Sequence, residues 1–137
     1  MKETLEKMLE ALAEDMGLVL VALEQGPGFL RVFVDGDHGV SVEECAALSR
    51  RVSKAIEDHG LIPGPFVLEV SSPGLDRVLK TPRERAWAVG KRVKAITKDG
   101  RVRVGRLDAS SDSEINLDGE VLSISELSRL VLAETDK

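Results

Sequence analysis

Three kinds of side chain in this sequence could do chemistry, and each needs partners at a suitable spacing. Ser71 and Ser72 lie near Asp76, but a hydroxyl nucleophile also needs a histidine base. The two histidines, His38 and His59, fall in a turn and at a helix end, and no G-x-S-x-G elbow surrounds either serine. Asp35 and Asp37 have the spacing that opens a calcium loop, but the later ligands are missing. Cys45 falls on an apolar helical stripe, where a thiol packs as a small hydrophobe. No Cys/His spacing suits zinc, and there is no Walker or G-x-G-x-x-G phosphate loop. The expectation is therefore a protein that is not an enzyme, with no catalytic, cofactor-binding or metal-binding residues and no cofactor.

Anion attraction remains, and the charge map localises it. The chain of 137 residues has a formal net charge of −5, which argues against a general nucleic-acid binder. Residues 1–73 carry 6 Lys/Arg and 13 Asp/Glu, a balance of −7. Residues 74–106 carry 11 and 3, a balance of +8, and residues 107–137 carry 2 and 8, a balance of −6. A basic middle between acidic ends suggests a local contact with an anionic partner. Its cations include Arg77, Lys80, Lys91, Arg92, Lys94, Arg101 and Arg103. With no tyrosine, three phenylalanines and one tryptophan, the chain lacks the exposed aromatics of a base-stacking platform. Any RNA contact should then be made to phosphate and to helix shape.

The elements that position these residues follow from periodicity. Leu5, Met8, Leu9, Leu12 and Met16 share one face of a helix over 4–16, which Gly17 stops. Residues 18–23 form an apolar strand. Gln25-Gly26-Pro27-Gly28 turns the chain, and 29–35 alternates with Leu30, Val32 and Val34 on one face, giving a hairpin. Arg31 lies on the other face, as a solvated edge charge or, alternatively, an anion-binding one. Gly36-Asp37-His38-Gly39 matches the bare G-x-x-G of KH loops, but Asp37 would repel phosphate, so it reads as a turn. Ser41 and Glu44 have capping-box spacing at the start of a second helix striped by Cys45, Leu48, Val52 and Ile56. Gly60 ends it.

A third strand, 66–70, breaks off at Ser71-Ser72-Pro73-Gly74. Loops leaving a rigid strand with polar residues are frequent sites of function. Thr81-Pro82 opens a short helical turn reaching Trp87, which should pack against the second half or between the halves. The remainder is all β. Asp99-Gly100 and Asp118-Gly119 mark two hairpins, Gly105 suggests a bend, and the last strand covers 129–132. Residues from Glu134 on should be loose.

The stretch Val70-Ser71-Ser72-Pro73-Gly74-Leu75-Asp76-Arg77, followed by Leu79 and Thr81-Pro82, resembles the signature of the bacterial ribosome maturation factor RimP family. The resemblance extends to Arg31-Val32-Phe33-Val34-Asp35, Val42-Glu43-Glu44-Cys45 and Val89-Gly90-Lys91-Arg92-Val93, and covers nearly the whole chain. Val78 departs from the family, which usually has proline there, and this leaves the stiffness of the link between the halves open.

The resemblance implies an α+β protein: a two-layer α/β N-terminal domain (helix-strand-strand-helix-strand) and a five-stranded SH3- or Sm-like C-terminal barrel. The domains are expected at 1–82 and 83–137. It further implies a non-catalytic factor for small-subunit assembly that contacts a ribosomal protein and rRNA of the immature subunit. Ser71, Ser72, Gly74, Asp76 and Arg77 form the expected recognition loop, with Lys80, Lys91, Arg92, Lys94, Arg101 and Arg103 attracting phosphate. A monomer in a reducing cytoplasm is expected, since the lone cysteine forms no internal disulfide and neither an apolar leader nor a bilayer-length run is present. A free-standing Sm-like RNA-binding module is the alternative, and oligomeric state separates the two.

Overall fold

The apolar stripes close into two cores. The computed structural model of the chain describes residues 2–74 and 77–133, and the chain divides into two compact units, Met1–Pro73 and Gly74–Lys137.

In the first unit, α1 (Lys2–Asp15) buries Leu5, Leu9 and Ala13. Strands β1 (Val19–Gly26) and β2 (Phe29–Asp35) form an antiparallel hairpin. Its β2 strand buries Leu30, Val32 and Val34, as the alternation requires. Helix α2 (Val42–His59) begins with the expected capping box: Glu44 N–H donates to Ser41 Oγ at 3.0 Å, and Ser41 N–H donates to Glu44 Oε1 at 2.9 Å. It ends at Gly60, whose φ of 60° is left-handed and suits a residue without Cβ. Leu48, Val52 and Ile56 join the same core as α1 and the sheet. After α2, β3 (Val67–Ser71) pairs parallel with β2, so the sheet order is β1-β2-β3. The central strand is thus β2, and Arg31 is not an edge charge. At the β1 edge, a bulge between Leu20 and Ala22 allows Leu20, Val21 and Ala22 all to be buried.

The second unit starts earlier than position 82. Residues grouped by sequence with the first half pair here instead. Leu79 N–H donates to Leu130 O at 2.8 Å, Leu132 N–H donates to Arg77 O at 2.8 Å, and Leu79 is buried in the second core. Helix α3 (Pro82–Ala88) is followed by β4 (Arg92–Thr97), β5 (Val102–Ser110), β6 (Glu114–Leu117), β7 (Glu120–Ser123), a 3-10 turn (Ile124–Glu126) and β8 (Leu127–Leu132). The strands form one antiparallel sheet in the order β7-β6-β5-β4-β8. A closed barrel, as expected from sequence, would also require β7 to pair with β8. No such pairing is present among the described residues. The chain is therefore α+β, with helices and a mixed sheet first and an antiparallel sheet second.

Gly105 serves a close approach rather than a bulge. A Cβ there would lie 2.2 Å from Asp118 Oδ2. The β5 irregularity falls later, between Leu107 and Ala109. Trp87 packs on the second core. The expected loose end from Glu134 lies outside the described residues. Among the described residues, no helix is long and apolar enough to cross a membrane.

Candidate functional site

The signature stretch divides into three parts. Ser71 is the last residue of β3, and Ser71, Ser72 and Gly74 are exposed. Asp76, expected in the recognition loop, lies outside the described residues. Arg77, expected at the surface of the same loop, is turned inward. Its side chain is 13% exposed, and its Nε donates to Glu84 Oε2 at 2.7 Å; the Glu84 side chain is 3% exposed. Glu84 also anchors the chain around it. Its Oε1 accepts from Lys80 N–H at 2.9 Å and from Thr81 N–H at 3.0 Å. Thr81 Oγ1 accepts in turn from Glu84 N–H at 3.1 Å, completing a capping box for α3. Arg77 is therefore part of a buried, hydrogen-bonded joint. Beside it, Arg85 is 5% exposed, its Nη1 donates to Lys80 O at 3.3 Å, and its Nε has no hydrogen-bond partner among the described residues. The Lys80 side chain is exposed.

The basic hairpin resolves into two faces. Register pairs Val93 with Gly105 and Ala95 with Arg103, and it pairs Arg92 with Arg106 and Lys94 with Val104. Directly opposed residues share a face, so the buried Val93 and Ala95 mark the inner one. Arg103 starts from that side and pairs with Glu120 at the start of β7. Arg101, in the turn, pairs with Asp99 at 3.2 Å. The Thr97 hydroxyl donates to Asp99, and with Arg101 alongside, the Asp99 carboxyl is held below the usual aspartate range. Arg101 and Arg103, two of the arginines expected to attract phosphate, thus have carboxylate partners.

The outer face differs. Arg92 and Lys94 from β4 lie there with Arg106 from β5, and β8 adds Arg129 opposite Ile96. All four cations are exposed. Lys94 and Arg129 have no ion-pair partner among the described residues, while Arg106 lies 3.6 Å from Asp108. Exposed Val102 and Val104 lie between these cations. Lys91 is set apart, with its Nζ 5.1 Å from the centre of the Trp87 ring. Sequence reasoning put Arg106 at the end of the basic hairpin without assigning it to a face, and it missed Arg129. Counting parity outward from the Asp99-Gly100 turn would have found Arg106. Arg129 needed the β4–β8 pairing, which is not local.

Among the other candidates, Arg31 is held by carboxylates on both flanking strands. Its Nε donates to Glu69 at 2.8 Å, and Glu24 lies 3.7 Å from Nη1. Its guanidinium also covers the Phe29 ring at 4.8 Å. Cys45 packs half-buried on the first core, and burial followed by the Glu44 charge pushes its thiol pKa up. His59 Nδ1 lies 3.0 Å from the Ala55 carbonyl, a local helix-end contact.

A family model described as the RimP N-terminal domain matches residues 6–76. The matched segment holds the hairpin, α2, β3 and the Ser-Ser-Pro-Gly exit, and it spans more than half of the 137 residues. On that match the chain belongs to the RimP family of ribosome maturation factors.

Proposed function

We propose that this protein is a non-catalytic assembly factor that binds the immature small ribosomal subunit through one ribosomal-protein contact and one rRNA contact. Family membership supports ribosome maturation, and the observation that carries the RNA contact is the outer face of β4, β5 and β8. Arg92, Lys94, Arg106 and Arg129 there can neutralise phosphate without reading bases. Arg77 is instead engaged inside the second unit by Glu84, and Arg101 and Arg103 are partly neutralised at the surface by Asp99 and Glu120. Ser71, Ser72 and Gly74 remain candidates for the protein contact, since they are exposed at the end of β3. Two modest contacts on one chain raise effective concentration and still permit release.

The second unit is proposed to be SH3-like, as a barrel left open between β7 and β8. Its last strand lies beside its first, and a 3-10 turn precedes that strand. The two compact units are proposed as the folding domains, and a cytoplasmic monomer suits the role.

The test is co-sedimentation with immature subunits across a salt series. Lys94→Glu should weaken binding and lower the salt slope by about one unit or more. An unchanged profile removes the outer face from the reading.

A further inference from the structure

Strand β3 forms an open side of the first unit's sheet. Its other side is taken by β2, and Val67 N–H donates to Gly28 O at 2.9 Å. Backbone groups of successive strand residues point to alternate sides. With Val67 turned to β2, Leu68 and Val70 present their N–H and C=O to the unpaired edge. The side chains of these two residues are half-buried against the first core.

Two hollows follow this edge between α2 and β3. One, of about 460 Å³, lies against Cys45, Ala46 and Val70 and ends at Ser71. The other, of about 470 Å³, lies against Ser53, Gly60 and Phe66. Ser49 and Leu68 line both, so the hollows form one trough. It stays open because α2 presents small side chains, Ala46, Ser49 and Ser53, at helical spacing. An unpaired strand edge beside a helix is the arrangement that accepts an extended chain as an added strand. The opposite edge, β1, lacks this character, because its bulge and buried Val21 close it.

The chemistry of the occupant follows from the lining. Glu57 and Glu69 border the trough, and no lysine or arginine lines it among the described residues. It belongs to the half of the chain with a balance of −7. An added strand would alternate its side chains. One set would meet Leu68, Val70 and Cys45, which favour small apolar groups. The other would lie on the face of Glu69, where Glu69 and Glu24 together outnumber the Arg31 that they hold, and the negative charge left over favours cations.

We propose that the α2–β3 trough binds, by strand addition, an extended segment of a partner protein in which small apolar residues alternate with lysine or arginine. This locates the protein half of the assembly-factor reading and rests on that reading for the partner's biological identity.

The test is an NMR titration of the full chain with a capped seven-residue peptide alternating lysine and valine. Amide shifts are expected at Leu68, Val70 and α2 residues 45–53. Methylating the peptide nitrogens that meet the edge should weaken binding about tenfold or more. Ala46→Arg, at an exposed helical position that tolerates a good helix former, should weaken it about as much. No shifts, equal shifts with a glutamate–valine peptide, or the same shifts from an oligouridylate would overturn the proposal. A chain that co-sediments with immature subunits but ignores the peptide keeps the assembly reading and loses the trough. The converse result keeps the trough and loses the reading.

Discussion

The two compact units use the same charged residue types in opposite ways. In the first, the ion pairs lie at the surface. Arg51–Asp15, Lys54–Asp58 and Arg31–Glu69 all have side chains 46–78% exposed, and the core beneath is apolar. The second also has exposed pairs such as Arg103–Glu120, but there Glu84 and Arg85 are themselves buried, and Arg77 closes on Glu84. A surface pair is screened and contributes little. A buried carboxylate with a full set of donors fixes geometry and becomes costly to remove. The lesson is that a basic stretch read from sequence mixes structural with available cations, and register and burial separate them.

The largest test of this contrast is Glu84→Ala. It removes the carboxylate that Arg77 donates to and leaves the Lys80 and Thr81 amides without this acceptor, so a loss of about 3–5 kcal/mol is expected in chemical denaturation. Asp15→Ala, the matched change in the first unit, should cost about 0.5 kcal/mol or less. Equal losses would erase the distinction.

Gly105→Ala comes next, at about 1–3 kcal/mol, because the new Cβ would strike the Asp118 carboxylate. Asp118 has a left-handed φ of 50° and accepts from Arg106 N–H at 3.2 Å. Adding Asp118→Gly should therefore recover most of the loss and give a clear coupling energy in a double-mutant cycle. Strictly additive losses would mean that the close approach carries no energy.

Smaller in stability, but decisive for function, is the pair Lys94→Glu and Arg103→Glu. Both lie on the hairpin and neither is buried, so thermal unfolding should move by no more than about 0.5 kcal/mol for Lys94→Glu. Lys94→Glu should reduce particle binding strongly. Arg103→Glu should reduce it less, since Glu120 already neutralises Arg103.

The smallest effect is titration of Asp99. Its pKa is lowered in the fold, so its contribution is complete above the ordinary aspartate value and fades as pH falls through the lowered one. Asp99→Asn should flatten this acid-side loss in a pH series of unfolding measurements. An identical acid limb in both proteins would assign no linkage to this turn.

What sequence disclosed were the local features. The Ser41–Glu44 box, the left-handed Gly60, the alternation of β2 and both Asp-Gly or Gly-flanked hairpins of the second unit follow from neighbours in the chain. The Thr81–Glu84 box is equally local, since threonine and glutamate stand three residues apart at the start of α3. Non-local partnerships were not legible. Nothing near Arg77 states that β8 will claim its carbonyl, and nothing near Arg31 states that Glu69 will lie beside it. The division after Pro73 belongs to the same class, because it depends on Leu79 finding Leu130.

The parallel pairing of β2 with β3 has a consequence for the order of events during folding. The β1–β2 hairpin closes through a tight turn, whereas β3 can dock only after all of α2 has formed and crossed back. Such long closures are slow relative to hairpins. The strand that ends in Ser71 is therefore expected to pair after the β1–β2 hairpin has closed, an order that pulsed hydrogen exchange during refolding checks. The Ser-Ser-Pro-Gly exit thus leaves the strand whose pairing bridges the most sequence in the first unit's sheet.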